Sequence, residues 1–213
     1  MTSSNSPIAD YFVASEIPDG LRETYEALRN EVVELNARWI VFKQLFASGN
    51  ERIGLFNNAV PLFFSMVHDS MLAGIFLSIT RLTDKRKDTL SLPKVLAQTK
   101  KVLKPNSTQG LEVLLCRIRD EQRPFKEWRD NVGAHNNLRT LLQQHLMPRI
   151  MFDSVGIVLG SIGDFLNDIG RHFGYPDANF ADVMIRGDGD AIVRSLERSN
   201  EHRSCRTGIS NRG

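Results

Sequence analysis

The residues best suited to chemistry lie together in Arg129-Asp130-Asn131-Val132-Gly133-Ala134-His135. Arginine is a cation at any relevant pH, and histidine is the side chain whose ordinary pKa lies nearest neutrality. One can neutralise a crowded phosphorane and the other can move a proton, the two tasks that cleavage of an RNA phosphodiester demands. Asn131 and His135 share a face of an α-helix, whereas Arg129 and His135 on a straight helix are rotated by about 120° and separated by a rise of ~9 Å. A single copy of the segment therefore does not close a compact site. Two copies related by a two-fold axis along this helix do, so the spacing favours a homodimer. The same residues also have a purely structural use, with Arg129 paired to Asp130 or Glu127 on a wet helix surface and His135 simply packed.

The remaining polar residues suggest less. His68 and Asp69 sit on an apolar helix and read as buried or helix-pairing groups. His145, His172 and His202 are not spaced with Cys or carboxylates as metal ligands are, so no metal site is predicted. Asp188-Gly189-Asp190 reads as a turn with a helix cap, since the rest of a calcium loop is missing. There is no phosphate-cradling glycine loop and no nucleophile elbow. Cys116 and Cys205 cannot make a disulfide framework, and Cys116, in Leu114-Leu115-Cys116, reads as a small buried hydrophobe.

Net charge over the 213 residues is only +2, so bulk charge predicts no nucleic-acid binding, but the charge is segregated. Residues 1–80 carry five basic and nine acidic side chains, whereas residues 81–104 carry eight and two, which points to a local anion-binding surface there. Lys85, Arg86 and Lys87 are its densest part and the candidate RNA-phosphate contacts.

These residues must be positioned by helices, because no alternating segment of useful length appears. Asp19 can cap a long helix carrying Leu21, Tyr25, Leu28, Val32, Leu35, Trp39, Phe42 and Leu45 at spacings of three and four, ended by Ser48-Gly49-Asn50. A second long helix shows Ile53, Phe56, Val60, Phe63, Val67, Met71, Ile75, Ile79 and Leu82 on one face, with Pro61 as a kink or restart. Ser91-Leu92-Pro93 resembles a helix start, the next helix begins near Thr108, and Pro124 separates the segment that bears the Arg/His motif. A further helix runs from about Val155 to Phe173, stopped by Gly174 and Pro176. Its Gly156, Gly160 and Gly163 suggest a close helix crossing. A last short helix spans residues 190–202. The fold is therefore all-α, with two long antiparallel helices and shorter helices closing a bundle. A flexible arm is expected at residues 1–18, the bundle at 19–175, a helical extension at 176–203 and a disordered tail at 204–213. His68, Asp69 and Arg81 interrupt the longest apolar stretches, so no membrane span is expected. With no basic-then-apolar leader, the expected location is the cytoplasm.

Taken in order, Phe63-Phe64-Ser65-Met66-Val67-His68, Ile79-Thr80-Arg81-Leu82-Thr83-Asp84, the Ser91-Leu92 helix start, and Trp128-Arg129-Asp130-Asn131 through Ala134-His135 resemble the HEPN superfamily in its AbiU-type abortive-infection branch. The resemblance covers roughly residues 20–175. It implies a helical bundle, usually dimeric, and a metal-independent endoribonuclease without cofactor, associated with phage defence or toxin–antitoxin systems. It also implies that Arg129 and His135 carry catalysis, with Asp130 the accepted polar residue after the Arg. Asn131, Arg81 and Asp84 are expected to support the site, the last two as an ion pair or helix-end cap. One related toxin class has a Tyr two residues after the His that its antitoxin modifies. Asn137 stands there in this chain, so an antitoxin, if one exists, neutralises differently. The alternative to a nuclease is a non-catalytic helical module for dimerisation or for binding nucleotide or RNA.

Overall fold

The computed structural model describes residues 17–86, 88–133 and 150–209. Every regular element among the described residues is helical and none is a strand, which gives the all-α architecture expected from the periodicity and agrees with the HEPN-like bundle that the resemblance implies. In chain order the helices are α1 (Asp19–Phe46), α2 (Asn50–Ala59), α3 (Pro61–Leu82), α4 (Leu92–Val102), α5 (Pro105–Glu121), α6 (Arg123–Trp128), a π-helical turn (Arg129–Gly133), α7 (Phe152–His172) and α8 (Gly189–Ile209). They fall into two compact units. The first lies within Met1–Asn36 and Phe76–Val183, the second within Ala37–Ile75 and Met184–Gly213.

The first unit is built on α5 and α7, which pack together. α7 buries Val155, Val158, Leu159, Ile162, Phe165, Leu166 and Ile169, and α5 buries Leu111, Leu115 and Ile118. Each such side chain contributes roughly 1.5–3 kcal/mol relative to exposure. Cys116 is exposed, against expectation, because it lies one residue, about 100° of helix, past the inward-facing Leu115. α5 also starts earlier than expected, at Pro105, where the missing amide costs nothing. Ser91 precedes α4 in extended conformation and Pro93 sits in its first turn, as the sequence predicts.

From α1, Leu21, Tyr25, Leu28, Val32 and Leu35 are buried. Asp19 belongs to the first turn of α1 rather than to its cap, since the amides of Leu21 and Arg22 bond the Pro18 carbonyl. The Tyr25 hydroxyl donates to the Leu166 carbonyl at 3.0 Å, and burial pushes its pKa up to about 12. A Cβ on Gly170 would come within 2.7 Å of that hydroxyl oxygen and 3.2 Å of Tyr175 Cβ, so only glycine fits there. Of the three glycines expected to mark a close crossing, only Gly163 has a near neighbour, Phe180 Cδ2 at 3.1 Å. Gly156 and Gly160 face open space. Gly174, at φ 76°, ends α7. The Tyr175 amide bonds the Gly170 carbonyl and the Gly174 amide bonds the Arg171 carbonyl, a Schellman closure.

In the second unit the long apolar stretch breaks at Val60, because Pro61 has no amide to donate and disfavours helical backbone before it. The restart changes the phase. Phe64 is buried and stacks on Phe56 at 4.0 Å, whereas Val60 and Phe63, expected inward, are exposed. Leu45 and Val193 complete this small core, with Phe46 and Met71 against it. The His68 ring lies 5.3 Å from Phe42 and 5.0 Å from Phe46, and its Nδ1 is 2.9 Å from the Asp69 carboxylate. Among the described residues α3 alone is long and apolar enough by length and composition to cross a membrane, a test that the core helix of a soluble protein also passes. Asp188 caps α8, accepting from the Ala191 amide at 3.1 Å, so Asp188-Gly189-Asp190 is the capped turn expected. Gln44 donates to Asp188 at 2.9 Å and accepts from the Gly189 amide at 3.0 Å. α8 runs on to Ile209, past the expected end at His202.

Candidate functional site

Arg129 is carried by the short α6, and aromatic packing fixes α6 in place. Phe125 is fully buried with its ring 5.1 Å from Phe76, and Trp128 meets the same ring edge-on at 5.3 Å. Aromatic pairs in these geometries contribute about 0.5–1.5 kcal/mol beyond their buried area. Both anchors lie within four residues before Arg129, so the end of α6 is the firm side of the site.

Immediately after them the backbone changes to π-helical geometry over Arg129–Gly133. A π turn holds one extra residue, is uncommon, and recurs at functional sites. It also means that the straight-helix projection from Arg129 and Asn131 to His135 does not carry across this segment. His135 and Lys87 lie outside the described residues.

The Arg129 guanidinium donates from Nε and Nη2 to Asp130 Oδ1 at 2.8 and 2.5 Å. This is the surface pairing that the sequence offers as the alternative use of Arg129, and the side chains are 29% and 47% exposed. Exposed pairs of this kind contribute about 0–1 kcal/mol, so a phosphate with two free oxygens can displace the carboxylate. Asn131 is turned back onto its own helix, with Nδ2 donating to the Glu127 carbonyl at 2.8 Å.

Of the ion pair or helix-end cap expected for Arg81 and Asp84, no side-chain ion pair forms between them among the described residues, while the Asp84 amide bonds the Arg81 carbonyl at 3.1 Å at the end of α3. Asp84 accepts from the Arg86 amide and from Arg86 Nε, both at 3.0 Å. The loop after α3 brings the amide two residues on over the carboxylate, a local turn that forms more readily than a bridge back to Arg81. Those bonds, the backbone one foremost, hold the Asp84 carboxyl below the usual range. Arg81 instead lines a cavity of about 250 Å³ together with Glu31, Ser78, Asp84, Arg86 and Asp88. Lys85 is exposed.

Sequence reasoning passed over three other cations. Arg119, Arg123 and Lys126 lie on the last turn of α5 and on α6, directly before Arg129, and their spacings of four and three were legible as a helical face. Among the described residues, no three His, Cys, Asp or Glu side chains come together as metal ligands would.

A family model described as AbiU2, of HEPN type, matches residues 18–189. The match spans most of the chain, and the chain therefore belongs to the AbiU2 family of HEPN proteins, the abortive-infection type. No curated protein and no solved structure matches it.

Proposed function

We propose that this protein is a metal-independent endoribonuclease of a bacterial phage-defence or toxin–antitoxin system, acting in the cytoplasm as a homodimer on RNA. The observation that carries the reading is the placement of Arg129. Its side chain stands part-exposed on a π turn that follows two aromatic anchors of α6, and among the described residues its guanidinium is tied to the exposed Asp130 carboxylate. The family assignment supports an abortive-infection role.

In the proposed reaction the ribose 2′-oxygen attacks the adjacent phosphorus and loses its proton. The bond from phosphorus to the 5′-oxygen breaks, and that oxygen takes up a proton. The products are a 2′,3′-cyclic phosphate and a 5′-hydroxyl. His135 either accepts the first proton or donates the second, and Arg129 stabilises the charge gathered on the non-bridging oxygens. Asp130 occupies Arg129 until a phosphate displaces it, Asn131 stiffens the turn, and Arg81 and Asp84 support the loop after α3. Lys85, Arg86 and Lys87 contribute phosphate contacts. A second copy of the motif, brought in across a dyad, completes the groove.

The Arg129–Asp130 pair also favours a second reading, in which the bundle is a non-catalytic module for dimerisation or RNA binding. End-labelled RNA incubated with the purified protein in EDTA separates the two. A nuclease releases fragments ending in a cyclic phosphate, and a binding module releases none.

A further inference from the structure

We propose that Arg119, Arg123 and Lys126 form a binding track for the phosphodiester backbone of single-stranded RNA, leading the strand to Arg129. The inference rests on the ribonuclease reading for the identity of the strand, and it assigns residues outside the motif and outside the basic segment 81–104.

The argument begins with helix geometry. α5 and α6 are joined by one residue, Gln122, whose backbone stays helical at φ −79° and ψ −8°. The Gln122 amide bonds the Ile118 carbonyl at 2.9 Å, closing α5, and the Gln122 carbonyl receives the Phe125 and Lys126 amides, each at 3.1 Å, opening α6. One helix thus passes into the next without the backbone leaving helical conformation. At about 100° per residue, positions 119, 123 and 126 occupy some 60° of arc over ~10 Å of rise. Three cations thus form one row beside the buried face marked by Leu115, Ile118 and Phe125.

The charge in this row is available. None of the three side chains makes a hydrogen bond or ion pair among the described residues. Arg119 Nε is buried without any acceptor, a donor whose desolvation is uncompensated in the unliganded protein. The nearby cation outside the row behaves differently: Arg117 is paired to Glu121 at 2.7 Å. Like charges three and four apart repel on an isolated helix, so the row costs stability until an anion lies along it. A chain of regularly spaced phosphates fits such a row. It ends three residues before the guanidinium proposed to grip the scissile phosphate.

The test is the salt dependence of binding to a short, fluorescently labelled 2′-O-methyl RNA, which lacks the attacking hydroxyl and stays intact. Each lost phosphate contact on a single strand lowers the slope of log K against log salt by ~0.7. The triple variant Arg119→Gln/Arg123→Gln/Lys126→Gln is expected to lower it by about 2. The double variant Arg123→Gln/Lys126→Gln leaves the half-buried Arg119 in place and is expected to lower it by ~1.4, so misfolding of the triple variant does not shelter the proposal. Arg117→Gln is expected to leave it unchanged.

An unchanged slope in the double variant overturns the track. So does a loss confined to binding of polyglutamate, which would make the row a site for an acidic protein. Cleavage that persists beside an unchanged slope keeps the nuclease reading and removes the track. A reduced slope in a protein that cuts nothing keeps the track and removes the nuclease.

Discussion

Two basic regions of the first unit differ in how their unpaired cations are arranged. In the segment 81–104, the more basic by composition, Arg86 is bound to Asp84 and Lys100 is paired with Glu112, while Arg81, Lys85, Lys94, Lys101 and Lys104 have no partner among the described residues and are spread over a helix end, a loop and α4. The stretch from Arg119 to Arg129 holds fewer cations, but Arg119, Arg123 and Lys126 have no partner among the described residues. The difference comes from backbone geometry. In a loop, a short acidic side chain reaches the amide and guanidinium two residues on, so interleaved Asp and Arg satisfy one another. On a helix, spacing decides which charges meet, and cations three and four apart are displayed together. Charge density along a sequence therefore does not by itself say which cations a ligand meets together.

The largest expected effect strikes the end of the row. Arg129→Ala is predicted to lower the rate of RNA cleavage by about 10²–10³, the usual cost of losing a transition-state donor, with helicity by circular dichroism unchanged. An equal loss in a Lys85→Ala/Arg86→Ala variant would erase the contrast between the two regions.

Next comes the scaffold. Gly170→Ala places a methyl against the Tyr25 hydroxyl and Tyr175 without touching any cation. It is expected to destabilise the protein by about 1–3 kcal/mol in urea unfolding, with partial recovery when Tyr25→Phe is added. The salt slope for RNA should stay at the parent value in the folded fraction. A changed slope would mean that packing, rather than displayed charge, sets the binding.

A smaller effect is expected in the loop. Asp84→Asn weakens the turn that ties Arg86 and should cost about 1 kcal/mol or less. Because the folded carboxyl sits below its ordinary value, its contribution is present above the unfolded pKa of about 3.9 and is lost as pH falls through the folded value. The stability gap between parent and variant should therefore close on acidification below about pH 4. A gap that widens there would show that Asp84 is not held as charged carboxylate.

The smallest effect is expected at Asp130. Asp130→Asn frees Arg129 from an exposed pair and should tighten binding of uncleavable RNA by no more than about fivefold, measured by fluorescence anisotropy. A weaker complex would show that Asp130 positions Arg129 rather than competing for it.

Much of the fold was legible in the sequence because helix periodicity survives packing. The face from Leu21 to Leu45, the break at Pro61, the Ser91 start and the Gly174 stop are all where the residues point. What failed did so for local reasons. Val60 is exposed because it leaves the helix as the C-cap of α2, Phe63 because the restart at Pro61 reset the phase, and Cys116 sits one position past the buried stripe. Gly170 matters through Tyr25, nearly the whole first unit away in sequence, and no local pattern reveals that contact.

At the candidate site the sequence supplies the residue types and the structure supplies their commitments. Asn131 bonds its own helix, Asp84 takes Arg86 in place of Arg81, and Arg129 is clasped by Asp130. The π turn leaves no mark in the hydrophobic pattern, because its extra residue lies among polar positions. The 4–3 spacing of Arg119, Arg123 and Lys126 was readable, but composition alone points to the more basic segment 81–104.

The most direct test of the nuclease reading compares the parent protein with His135→Ala and His135→Asn on end-labelled RNA in EDTA. Circular dichroism and sizing on the same preparations establish that the fold and the oligomeric state of the parent persist. The account predicts fragments ending in 2′,3′-cyclic phosphate from the parent, at a rate whose pH dependence reflects an imidazole, and none from either variant. Near-parent cleavage by a folded, nuclease-free His135→Ala protein would contradict it.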